Sequence, residues 1–196
     1  MLYEILTGMR QEWTLILILF LLLFLKVGGK ERSNTSVLWI VNGLLLLNTL
    51  GGLICGGDVT LFHDMYRSNS LICTEKNILN IGTLLISLQA FEWLKTHRHV
   101  TEFYMLLVST LIGMFFMISS GNLLMFYLGL ELSTIPLAAL ANFDLDKRQS
   151  SEAAMKYIIS SAFSSGLLLF GISMLYGTSG TLTFTQLQHQ LDASNA

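Results

Sequence analysis

Between residues 103 and 141 the sequence carries a single charged side chain, Glu131, and this stretch constrains the fold more than any other. A helix crosses the hydrocarbon core of a bilayer in about 20 residues, so so long an apolar run must reverse once. The reversal falls at Ser119-Ser120-Gly121-Asn122, where Gly and Asn suit the positive φ of a sharp turn. Glu131 then lies near the middle of the second helix, 122–141. A carboxyl group at that depth costs about 2.5–3.5 kcal/mol on insertion scales, and more if ionised without a partner. A purely structural span would not carry it, so Glu131 is a candidate functional residue from its position alone.

Other apolar stretches occupy residues 13–27, 37–55, 72–93 and 152–176, which with 103–119 and 122–141 predict six spans. The fold class expected is all-α, a polytopic transmembrane helical bundle. Composition agrees: 53% of the 196 residues are hydrophobic, 12% are charged, and the mean hydropathy is +0.61, outside the range of water-soluble domains. The first span is short and is followed by Lys26, Lys30 and Arg32, the reverse of a signal peptide's order, so it reads as retained. The third opens with Glu75, Lys76 and Asn77, which an interfacial position would let reach water. A net charge of −2 spread through loops gives no basic footprint, so no nucleic-acid partner is expected; the partner composition calls for is the lipid bilayer. Cys55 and Cys73 have no metal-ligand spacing and read as isolated thiols, with no disulfide framework.

The basic residues orient the chain. Lys26, Lys30 and Arg32, then Lys95 and Arg98, then Lys147 and Arg148 follow spans one, three and five, while the other side has Arg10, Arg67 and the interfacial Lys76. The positive-inside rule places the N-terminus outside and these links in the cytoplasm. Asp146 and Gln149 have the spacing of a capping box for the sixth helix, which would then start among the headgroups. His63, His97, His99 and His189 fall in loops or the tail and read as solvated side chains. Tyr66, Trp39 and Trp93 near span ends read as interfacial anchors.

Within the fifth helix, Tyr127 at i−4 and Thr134 at i+3 share a face with Glu131, forming a narrow polar stripe able to hold water. Pro136 removes a backbone donor and crowds the carbonyl of Leu132, favouring a kink close to the acid. The competing role for Glu131 is a protonated hydrogen-bonding contact that glues two helices. Lys156 is the second candidate, about 15 Å along the sixth helix by its rise per residue. Burial in a hydrated cavity would let it take and release a proton near neutral pH. Equally, Glu152 one turn upstream offers it an ion pair, and its stem can snorkel to the surface. Beyond it, Ser160, Ser161, Ala162, Ser164, Ser165 and Gly166 permit close approach of another helix, expected to be the fifth.

Three motifs carry a family resemblance: YLGLELSTIPL at Tyr127–Leu137, SSEAAMKY at Ser150–Tyr157 and FGISMLYGTSGT at Phe170–Thr181. Residues 103–182 closely resemble subunit N (subunit 2) of proton-pumping NADH:quinone oxidoreductase, respiratory complex I. The first two spans agree with it only in hydropathy, and Gln11-Glu12 stands where many relatives have Pro-Glu. The resemblance implies an N-terminal part of an antiporter-like membrane-arm subunit, with other membrane-arm subunits as partners and a bacterial inner membrane as its location. It implies a translocase subunit that binds no cofactor, NADH and quinone being used elsewhere in the complex. It also matches Glu131 and Lys156 to a proton-translocating glutamate and lysine, in which an ionised glutamate favours the protonated lysine.

The resemblance divides the chain into residues 1–102, the first three spans; residues 103–182, the start of the proton-translocation domain; and residues 183–196, a truncated polar tail. Family members continue through about fourteen helices in two inverted repeats, so this chain is expected to be a portion that does not pump alone. Two other functions stay open: a subunit of a related cation/proton antiporter or membrane-bound hydrogenase, and a non-pumping assembly scaffold.

Overall fold

Apolar runs free of internal charge fold as long helices that pair their own backbone groups, as hydrocarbon requires. The computed structural model describes residues 2–28, 34–54 and 57–194. In chain order these form α1 (Leu2–Gly8), α2 (Arg10–Val27), α3 (Asn34–Gly52), β1 (Val59–Leu61), β2 (Tyr66–Ser68), α4 (Ser70–Gln89), α5 (Phe91–Lys95), α6 (Val100–Ile118), α7 (Leu123–Ala141), α8 (Arg148–Ser179) and α9 (Phe184–Ser194). Helices α3, α4, α6, α7 and α8 are long and apolar enough to cross a membrane. The sixth expected span, α2, carries Arg10, Glu12 and Lys26 within its eighteen residues. Its charges lie at the two ends and are partnered there, Lys26 by Glu102 and Glu12 by Lys76. The class expected from the sequence, an all-α polytopic bundle, is the class observed.

Helix α6 sits at the centre, packed against α2, α3, α4 and α7. Leu15, Leu22, Leu38, Val41, Val108 and Leu111 form the middle of the core. The α6–α7 pair is the most intimate. A Cβ added at Gly113 would lie 2.7 Å from the carbonyl carbon of Leu132, and one at Gly129 would lie 2.6 Å from the Met117 nitrogen. Only glycine lets the two backbones meet there, as small residues do between helices in lipid.

At one end of the bundle the chain builds a small cap. β1 and β2 pair antiparallel with Val59 opposite Ser68 and Leu61 opposite Tyr66. The hairpin turn holds Phe62, His63 and Asp64 at φ 54°, 55° and 64°, three successive non-glycine residues in the left-handed region, where L-residues are crowded. Arg67 N donates to Ser119 O at 2.8 Å and Gly121 N to Met65 O at 2.8 Å, so the α6–α7 turn docks on the hairpin. Leu123 N donates to Leu182 O at 3.0 Å and Phe184 N to Gly121 O at 3.2 Å, adding the α8–α9 link. The opposite end, with Lys95, Arg98, Lys147 and Arg148, we call the basic end.

Several local expectations are corrected. The tight 119–122 turn is present, yet among the described glycines the positive φ belongs to Gly180, which ends α8; Gly121 is needed because an added Cβ would strike the Asp64 carbonyl oxygen. Asp146 does not cap α8: Lys147 holds the extended N-cap position without a side-chain cap, while its ammonium pairs with Asp144 at 2.7 Å and Ser150 Oγ donates to Ala141 O instead. The α7–α8 link is thus tied back to the end of α7. Residues 184–194 of the expected polar tail are helical. Cys73 is disulfide-bonded, against the expectation of two isolated thiols; Cys55 lies outside the described residues. Spacing along the chain does not register that the ends of α3 and α4 meet, with Gly52 against Asn77. His97 is half-buried between the rings of Trp93 and Phe143, at 4.0 and 5.5 Å between centroids, rather than solvated.

Candidate functional site

Asn122 begins α7 from an extended conformation, its Oδ1 accepting from Leu124 N at 2.6 Å. That cap sets the rotation of α7 and turns Tyr127, Glu131 and Thr134 toward α8, where they line a groove of ≈ 610 Å³ with Ser161, Ser165 and Gly166 opposite. The expected pairing of α7 with the small-residue face of α8 is therefore the observed one. Glu131 is half-buried, and its Oε1 is fully enclosed with no hydrogen-bond partner. Pro136 lies inside α7 and deprives Leu132 O of its usual donor. Just before it, Ser133 Oγ donates to Leu130 O at 2.8 Å and Thr134 Oγ1 to Glu131 O at 3.4 Å. A groove with this volume, a carboxyl group, a phenol and hydroxyls has both the room and the polar partners that ordered water needs. Such an arrangement can hold a proton on the carboxyl group and pass it to water.

Lys156 is elsewhere. Its Nζ pairs with Glu152 at 2.7 Å, and the lysine side chain is 75% exposed. It lies on the face of α8 turned away from α7, so the two expected proton-translocation residues do not meet among the described residues. The pair is the i,i+4 contact that the sequence offered as the competing role for this lysine.

A second polar cluster was not anticipated. Glu12 on α2 and Lys76 on α4 form an ion pair at 2.6 Å, with side chains 1% and 3% exposed. Tyr66 OH donates to the same Glu12 oxygen at 2.8 Å and accepts from Lys76 Nζ at 2.9 Å. Lys76 and Tyr66, read as interfacial from the sequence, are both buried because α1, α2 and the hairpin cover this end of α4. Burial first, and the Glu12 carboxylate second, hold the Tyr66 phenol far above its usual range. The signal was present as a buried stripe on α4, Cys73, Lys76, Asn77, Asn80, Thr83 and Ser87, at helical spacing. Average hydropathy over a span conceals such a stripe.

Comparison with known proteins follows the same helices. A family described as NADH:quinone oxidoreductase/Mrp antiporter, TM, matches residues 120–196. NADH-quinone oxidoreductase subunit N of Phocaeicola vulgatus is 54% identical over 130 residues, which are 65% of this chain and 28% of that subunit. Subunit N of Pelagibacter ubique is 32% identical over 183 residues, 89% of this chain and 38% of the relative. Among solved structures, a chain of respiratory complex I from Thermus thermophilus with bound Aureothin superimposes with a TM-score of 0.68 at 25% identity, over 88% of this chain and 38% of its own. A chain of an archaeal membrane-bound sulfane sulfur reductase shares the fold, with a TM-score of 0.66 at 21% identity over 90% of this chain and 38% of its own. The chain thus spans 28% to 38% of the length of these relatives. Over most of its own length, this chain of long apolar helices is thus similar to part of NADH-quinone oxidoreductase subunit N.

Proposed function

We propose that the chain serves as part of a membrane-arm subunit of NADH:quinone oxidoreductase and contributes to proton translocation coupled to electron transfer from NADH to quinone. The observation that carries this reading is Glu131 on the wall of the α7–α8 groove, with its Oε1 enclosed and unpartnered, since an intramembrane carboxyl group beside a cavity with room for water marks a proton or ion path. Glu131 is the proton-binding group, Tyr127 and Thr134 support water beside it, and Pro136 keeps the local backbone polar. Lys156 acts from the far face of α8. A charged side chain exposed at that depth costs several kcal/mol in lipid, so its role requires cover from segments that the longer relatives possess. The role is non-redox, with no cofactor bound by these residues, and NADH and quinone react elsewhere in the complex. Other membrane-arm subunits are its partners. A bacterial inner membrane with the N-terminus outside fits the basic residues gathered at one end.

The test uses the full-length subunit in its complex. Glu131→Gln lowers the protons moved per NADH oxidised while assembly and electron transfer persist; an unchanged yield in an assembled variant refutes the assignment and leaves a scaffold. The fold shared with a sulfane sulfur reductase chain keeps a second reading, a related ion-translocating complex. A purified complex without NADH-dependent quinone reduction selects that one.

A further inference from the structure

The Glu12–Lys76 pair is incompletely satisfied in a way that points to water. Glu12 Oε1 receives both Lys76 and Tyr66, but Oε2 of the same carboxylate is enclosed without a partner. Gln11 Oε1, Asn77 Oδ1 and Asn80 Nδ2 are enclosed without partners as well. All four residues are more than nine-tenths buried, at 6%, 1%, 7% and 2% exposure for Gln11, Glu12, Asn77 and Asn80. Their grouping is built by the fold. At Gly52 on α3 an added Cβ would fall 2.5 Å from Asn77 Oδ1 and 3.0 Å from Gln11 Nε2, so α3 leaves both amides facing one spot. Asn48 Nδ2 donates to Asn80 Oδ1 at 2.9 Å and closes the seam below. Toward the hairpin end a cavity of ≈ 60 Å³ opens beside the pair, lined by Thr7, Arg10, Gln11, Glu12, Ser68 and Lys76. A water needs about 10–15 Å³ measured in this way, so the cavity holds a few.

We propose that α2, α3 and α4 enclose a second, hydrated proton-binding site at the hairpin end, with Glu12 Oε2 as the acceptor. Gln11 and Glu12 line the cavity, where water donates to Gln11 Oε1 and Glu12 Oε2, and Asn77 and Asn80 continue the polar seam below it. A hydronium transfers its proton to Oε2 and leaves as water, taking the pair from net zero to net +1 while Lys76 keeps its three hydrogens; release reverses the step. Among the described side chains the groups facing Glu12 are Lys76 on α4, Tyr66 on β2 and Arg10 on α2, whose Nη2 is committed to the carbonyls of Gly51 and Ile54. α3 offers Asn48, and α6 offers the Phe115 ring, 5.8 Å from Lys76 Nζ. The site is separate from the α7–α8 groove and stands or falls without the role given to Glu131.

The experiment is pH-difference infrared spectroscopy of the full-length subunit in its complex, in light and heavy water. On acidification the wild type gains a protonated-carboxyl band that is absent in Glu12→Gln, present in Glu131→Gln, and shifted by deuterium faster than the backbone amides exchange. Asn77→Leu with Asn80→Leu slows that shift severalfold. Should Glu12→Gln fail to assemble, Glu12→Asp keeps a carboxyl group and displaces the band. A spectrum with no Glu12-dependent band, or a band deuterated only as slowly as the amides, overturns the site and leaves a dry structural ion pair.

Discussion

Replacing Gly113 by alanine tests the central contact of the bundle. The new Cβ would meet the Leu132 carbonyl carbon at 2.7 Å and Ser133 Cα at 2.8 Å, whereas carbon atoms pack at about 3.5–4.0 Å. Both obstacles are backbone, so no side chain can swing aside, and α6 and α7 must part by about 1 Å over their shared length. Overpacking of a close-packed interior costs about 1–3 kcal/mol, and a rigid obstacle puts this site at or above the top of that range. Alanine's better helix propensity returns about 1 kcal/mol, leaving a net loss of about 2 kcal/mol. A chain of this size would lose about 4–8 °C in its thermal midpoint, and the longer full-length subunit correspondingly less. Gly82→Ala is the control, since nothing lies within 4 Å of its added Cβ, and it should raise the midpoint slightly through propensity alone. The assay is thermal denaturation of the full-length subunit in detergent, followed by helix circular dichroism. If Gly113→Ala melts with or above Gly82→Ala, the backbones are not in contact and the glycine argument fails.

Lys76→Met leaves the Glu12 carboxylate buried without its ammonium partner and should cost about 3–5 kcal/mol, while Lys76→Met with Glu12→Leu recovers most of it; equal melting of the single and double variants in the same assay would remove the pair as an energetic unit. The raised position of Tyr66 has a sign: its neutral phenol contributes stability below the usual tyrosine range, and the contribution is lost as pH rises through the higher folded value. Tyr66→Phe should therefore leave the tyrosinate absorbance unchanged until alkaline unfolding, and a lower absorbance in the variant before that point counts against burial. His63→Gly relieves a left-handed residue exposed on the hairpin and should stabilise by about 1 kcal/mol, read as a higher midpoint; a lower one means the turn is held by a contact of the imidazole.

The spans were legible because hydrocarbon demands continuous apolar length, a property of neighbouring residues. The reversal at 119–122 and the α7–α8 pairing were legible for the same reason, as Asn122 and the small residues 161–166 act locally. Glu12 and Lys76 are 64 positions apart, and nothing near either residue announces the other. Lys76 looked like a charge seeking water because its partner lies on another helix, and Tyr66 looked like an anchor because the hairpin that carries it has only three-residue strands. The position of Lys156 shows the converse: the sequence offered two environments, and the rotation of α8 that decides between them comes from a link, 142–147, with no strong cap.

The backbone bonds at the cap join β2 to the α6–α7 turn and that turn to the residues after α8. Among the described residues no comparable backbone ladder ties the basic end, where the side-chain bonds from Ser150 Oγ to Ala141 O and from Ser151 Oγ to Asn142 Oδ1 join the start of α8 to the end of α7. The two helices are therefore held like the arms of tweezers, joined by backbone bonds at the pivot and by side chains alone at the tips. Any tilt of α8 against α7 widens the gap beside Asn142 before it disturbs Asn122, so access to Glu131 opens from the basic end first, and the ladder at the cap is the fulcrum that sets this polarity.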